Sequence, residues 1–243
     1  MKHSKYILLI SGIIATIISS LVSAIPIWMY NQAQVSAMFP TLFTPATITF
    51  SIWGIIYASW IVLGIFVALW KIHVSYKNAW LLASAQILSS FWLIPSQYLY
   101  TATSLVVMSG VLFLLLLGFF ISQRENKYFQ YTQELFLGWI IVASIANLHL
   151  VLVDYNLYGY PVWFTLASIL LATGIFALWI LRYNAIIASL VFLWASYGIV
   201  AWQSNDLVEL SAGAWFLIIL ALLIFSQKDF IRLQASSLKK SQK

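Results

Sequence analysis

The chain contains no cysteine, only five prolines among its 243 residues, and very little charge. The missing cysteine excludes disulfides, thiolate metal centres and a cysteine nucleophile. Only 7% of residues are Asp, Glu, Lys or Arg, against about 25% in soluble globular proteins. Eighteen charges do not solvate the surface of a 27.6 kDa globule. A soluble enzyme, a disordered chain and a nucleic-acid binder are therefore excluded. Three histidines, His3, His73 and His149, are scattered without the spacing of metal ligands. No Asp pair or Ser/His set stands at membrane depth, so no motif supports acid/base catalysis or requires a cofactor.

What is present is apolar. Hydrophobic residues make up 63% of the chain and aromatics 17%, with a mean hydropathy of +0.96. These values predict an all-α, polytopic integral membrane helix bundle. A ruler of about 20 apolar residues per span gives eight candidates: Tyr6–Ile27, Thr47–Trp70, Ala79–Gln97, Thr103–Ile121, Leu135–Val153, Pro161–Leu181, Ala185–Trp202 and Ser211–Ser226. The apolar runs are continuous, which fits helices rather than a barrel.

The net charge of +6 follows a topological pattern. With eight spans, every Lys and Arg falls on one side: Lys2 and Lys5, Lys71 and Lys77, Arg124 and Lys127, Arg182, then Lys228, Arg232, Lys239, Lys240 and Lys243. The other side holds Asp154, Asp206 and Glu209. The positive-inside rule then puts both termini in the cytoplasm, the expected location being a bacterial cytoplasmic membrane. Val22-Ser23-Ala24 resembles a signal-peptidase site, but the long apolar run and the interface-like Pro26-Ile27-Trp28 favour a retained helix.

Tryptophan divides into two groups. Trp28, Trp70, Trp80, Trp163, Trp179, Trp202 and Trp215 lie near span ends, where indoles anchor at the interface. Trp53, Trp60, Trp92, Trp139 and Trp194 lie deeper, where packing is the simplest role. Gly54/Ala58 and Gly64/Ala68, each four apart, would let helices approach closely. No charge lies well inside a span, which argues against ion-coupled transport. His149, near the end of the fifth span, reads as a satisfied histidine rather than a ligand or proton relay.

Two stripes remain. Trp53 and Tyr57 share a face of the second span; Trp139, Ala143 and Asn147 share a face of the fifth. An alanine between an indole and an amide leaves a recess for a flat apolar ligand with a polar edge. At about 1.5 Å per residue, Trp53, Ser89 and Asn147 reach similar depths, so one cavity is expected if these helices are neighbours.

The run Phe43-Thr44-Pro45-Ala46-Thr47-Ile48-Thr49-Phe50-Ser51-Ile52-Trp53-Gly54-Ile55-Ile56-Tyr57 resembles the Pro-rich loop and second-helix motif of the TspO/MBR family, the tryptophan-rich sensory proteins related to translocator protein. Gly138 to Asn147 looks like its fifth-helix motif, with Trp, Ala and Asn at four-residue steps. The resemblance covers roughly residues 6–153. It implies five helices around a pocket, with residues 154–243 adding three helices and a basic tail. It also implies a tetrapyrrole ligand, porphyrin or heme, or a sterol. Trp53 and Trp139 would flank that ligand, Ala143 would line the pocket and Asn147 would make a polar contact. Trp92 matches the third-helix motif; Ser89 stands where the family usually has Asn. The site expected is therefore Trp53, Tyr57, Ser89, Trp92, Trp139, Ala143 and Asn147, and the function that of a membrane sensor or receptor. A permease for a small neutral or lipophilic solute is the alternative. The partners expected are the bilayer, a hydrophobic small molecule and a second copy of the chain, with no nucleic acid.

Overall fold

The computed structural model describes residues 4–24, 30–69, 72–122 and 125–241, with side chains described only as far as residue 227. Ten α-helices and no strand occur among the described residues. They are α1 (Ser4–Ala24), α2 (Gln32–Met38), α3 (Ile52–Leu69, entered through a 3-10 turn at Thr47–Ser51), α4 (Tyr76–Phe91), α5 (Leu93–Gln97), α6 (Thr101–Ile121), α7 (Lys127–Asp154), α8 (Pro161–Tyr183), α9 (Ile186–Val200) and α10 (Asp206–Ser241).

Seven spans are long and apolar enough to cross a membrane. The eighth expected span is helix α9, which has 15 residues and a length of about 22 Å. It is shorter than expected because its N-terminus is set after the left-handed Asn184 (φ 53°) and its last turn closes at Ala201. Protein covers one face of it, since Ala188, Val191, Phe192, Ala195 and Ile199 are all buried, while Leu190 and Tyr197 are exposed.

Helices begin where the sequence supplies a cap. Ser75 caps α4, Asn126 caps α7, and Pro161 occupies the first turn of α8, where its missing N–H costs nothing. Helix α2 was not expected within the first loop. Its signal was legible: Asn31 and Gln34 form a reciprocal capping box.

The first five spans close a ring in the order α1, α3, α7, α6, α4 and back to α1. Helix α9 packs on the outside of α7, α10 packs on α9, and α8 on α10. In lipid, such association depends on close packing rather than on excluding water. At Gly64, a Cβ would fall 2.5 Å from the Cα of Leu9, so α1 and α3 meet backbone to backbone. Gly54, by contrast, has nothing within 4 Å and marks no helix contact.

The tryptophans also divide differently from expectation. Trp80, Trp163 and Trp202 are exposed, as interface anchors would be, and Trp215 is half-buried. Trp179 is only 6% exposed and packs edge-on to Phe119, so it belongs to a helix contact. Trp28 and Trp70 lie outside the described residues, as do Pro26-Ile27-Trp28, Lys71 and Arg124.

One charge lies inside the bundle. Helix α7 starts at Lys127, well before the expected Leu135, so Glu134 falls in its second turn and is buried. Its carboxylate accepts the backbone N–H groups of Ile187 and Ala188 at the start of α9. These are donors that a helix N-terminus otherwise leaves unpaired.

Candidate functional site

The seven expected residues all reach the walls of two adjoining cavities at one end of the five-helix ring. Trp53 and Trp92 line both. Trp139, Ala143 and Asn147 line the first, of about 40 Å³. Tyr57 and Ser89 line the second, of about 270 Å³.

Their positions follow from local structure. Trp53 sits in the first turn of α3, just after the 3-10 turn, so its ring lies near the mouth. It stacks on Trp92 (6.1 Å, 22°) and meets Trp139 edge-on at 6.4 Å. Tyr57, one turn further along, is 5.7 Å from Trp53. Trp92 stands where α4 gives way to α5, three residues before Pro95. Pro95 lacks the N–H that would continue the helical bonding there, and the break brings Trp92 to Asn147.

The polar edge is already engaged. Oδ1 of Asn147 accepts from Trp92 Nε1 at 3.2 Å and from Ser104 Oγ at 2.9 Å. Its Nδ2 donates to the Ala143 carbonyl at 2.8 Å. Both lone pairs are used, while one amide hydrogen remains for a ligand. Ser89 donates to the Gln86 carbonyl of its own helix. Trp139 differs: it is 1% exposed, and its Nε1 has no hydrogen-bond partner.

The resemblance implies a pocket under the first loop, but the individual roof residues were not among the seven expected. Gln32 and Ser36 of α2 line both cavities, as does Phe50 of the 3-10 turn; Thr44 and Pro45 of the loop line the first. Above them opens a wider vestibule of about 900 Å³, shared with Tyr158, Trp202, Gln203, Ser204 and Asn205. Ser36, Thr44 and Pro45 border both the vestibule and the first cavity.

Helix α9 and its exit fasten this roof. Trp194 Nε1 donates to the Thr49 carbonyl at 2.9 Å, and the Ala46 N–H donates to the Gly198 carbonyl at 2.9 Å. Gln203 Nε2 donates to the carbonyls of Thr44 at 2.8 Å and Thr41 at 3.3 Å. A Cβ at Gly198 would overlap Thr49 Oγ1 and come within 2.9 Å of Pro45 Cβ, so only glycine allows this approach.

His149 is a satisfied histidine. Nδ1 meets Tyr158 Oη at 2.7 Å, Nε2 meets Ser168 Oγ at 2.9 Å, and Phe43 stacks on the ring at 5.0 Å. Burial pushes the Tyr158 hydroxyl above the ordinary phenol range, outweighing its bonds to Thr165 and Leu42. Among the described residues, no group of His, Asp and Glu gathers to hold a metal ion.

A family model described as TSPO-like protein matches residues 5–226. The match continues through α8, α9 and the apolar part of α10, well beyond residue 153, where the motif resemblance ended. No curated protein and no solved structure matches the chain. The chain belongs to the TSPO-like family.

Proposed function

We propose that this TSPO-like membrane protein is a sensor or receptor that takes a flat hydrophobic ligand, of tetrapyrrole or sterol shape, between Trp53, Trp92 and Trp139. The observation that carries the reading is the pair of cavities joined across Trp53 and Trp92, with the unpaired Trp139 indole on the wall. Together they enclose about 40 and 270 Å³, at the lower edge of ordinary small-molecule sites, which run from about 300 Å³ upward. A ligand of porphyrin size therefore requires Phe50 or Trp53 to swing aside. Phe50 follows directly on Thr49, which α9 holds, so its displacement would reach the C-terminal helices. In the orientation set by the basic residues, the mouth faces outward from a bacterial cytoplasmic membrane.

Transport is the weaker reading. It needs a path through the opposite end, where Ser122, Gln133 and the Leu115 carbonyl bond to one another.

The test is titration of the purified protein with protoporphyrin, its neutral esters, heme and a sterol, read by tryptophan fluorescence. Saturable quenching by at least one member is expected, weakened about tenfold or more by Trp139→Ala. No saturable response to any member overturns the reading.

A further inference from the structure

The basic residues whose side chains are described lie at the end of the bundle away from the cavities. Lys77 opens α4, Lys127 opens α7 and Arg182 closes α8. The other nine fall, in sequence, in the tails and connections that join those same helix ends. From Lys127 to Asn147 the helix rises about 30 Å, and from Lys77 to Trp92 about 22 Å. Among the described residues, no Lys or Arg lines either cavity or the vestibule.

The helix ends on the mouth side carry acidic residues, although none of these lines a cavity or the vestibule. Asp206 follows directly on Asn205, which lines the vestibule, and Glu209 is one turn further along; both are exposed. Asp154 closes α7 one turn beyond Leu150, which lines the first cavity. The vestibule itself presents neutral groups: the hydroxyls of Ser36, Thr41 and Tyr158 and the amides of Gln203 and Asn205. Trp139 and Asn147 line the inner wall; the Trp139 Nε1–H is buried without a partner, and one Asn147 amide hydrogen is spare.

We infer that the ligand is an uncharged, flat lipophile bearing an acceptor oxygen, and that the site discriminates against carboxylate-bearing ligands of the same shape. The inference rests on the flat-ligand reading above and narrows it. A carboxylate entering these cavities loses hydration without meeting an opposite charge. A carbonyl or ester oxygen enters without that cost. Preference for neutral ligands thus comes from where the basic residues are placed, and aromatic contact leaves shape selection unchanged.

Protoporphyrin and its dimethyl ester share one flat body and differ in charge, which makes them the probe pair. Binding is measured by tryptophan quenching in nanodiscs of zwitterionic lipid at neutral pH, with empty nanodiscs as the correction for partitioning. The ester is expected to bind about tenfold or more tighter than the diacid. Ser204→Arg, on the exposed vestibule rim, is expected to strengthen diacid binding about tenfold while leaving the ester unchanged. Diacid binding as tight as the ester, or an unchanged ratio in a folded Ser204→Arg protein, overturns the inference and leaves the flat-ligand reading standing. Saturable binding of neither porphyrin, with binding of the sterol, overturns the porphyrin-shaped form of this inference. Failure of all of them removes the flat-ligand reading as well.

Discussion

The two ends of the bundle are built from the same kinds of residue but used differently. At the basic end, polar side chains bond to one another and to backbone. Glu125 accepts from the Ser75 N–H at 3.0 Å and from Asn78 Nδ2 at 2.7 Å. Ser122 donates to Gln133 at 2.6 Å, and Ser226 and Gln227 both donate to Asn184. At the acidic end the polar groups are bonded too, as Gln203 is to Thr44 and Asn147 to Trp92 and Ser104, but they surround cavities and a vestibule. One end is stapled and the other left open. Paired buried polar groups rigidify, whereas open space beside them admits a ligand. The difference shows that binding capacity here depends on where the packing leaves space, more than on which residue types are present.

Three substitutions break or sharpen that contrast. The largest effect is expected from Gly198→Leu, which drives a side chain into Thr49 and Pro45 at the open end. It should cost about 3 kcal/mol of stability, seen as a lower unfolding temperature in detergent, and should also weaken ligand binding by displacing the roof. Gln133→Ala at the stapled end comes next. It removes the acceptor of Ser122 and leaves a void beside Gly118, for about 2 kcal/mol; ligand affinity should not change, because the site lies at the other end. If Gln133→Ala weakens binding as much as Gly198→Leu does, the two ends are not independent. The smallest effect belongs to Gly54→Ala. With nothing within 4 Å of Gly54, the added methyl should stabilise α3 by about 0.5 kcal/mol through its helix propensity, leaving binding unchanged in the same assays.

Much of this organisation could be read from the chain. Long apolar runs bounded by basic residues gave the helices, because a membrane leaves few alternatives for satisfying backbone N–H and C=O groups. Four-residue steps placed Trp139, Ala143 and Asn147 on one face, and the cavity they line is there. Other features depended on tertiary contact. The five-helix ring order cannot be read from spacing. Glu134 looked like a boundary residue because its partners, Ile187 and Ala188, lie on a distant helix. Trp179 looked like an interface anchor because its position near a span end does not reveal that Phe119 covers it. The roof residues were missed for a local reason: a seven-residue helix such as α2 is too short to show a periodic pattern, and only its capping box announces it.

The bond from Trp194 to Thr49 joins residues 145 positions apart, and the Gly198 contact beside it tolerates no side chain. This bears on how the molecule is made. A chain is synthesised from its N-terminus, and early segments fold first, so α3 and its entry turn are in place long before α9 exists. Until the ribosome has delivered residues 194–203, the carbonyls of Thr41, Thr44 and Thr49 lack the side-chain partners that Trp194 and Gln203 supply. The mouth is thus among the last parts to be completed, and a nascent chain halted after the fifth span would present its aromatic cavities without their clasp.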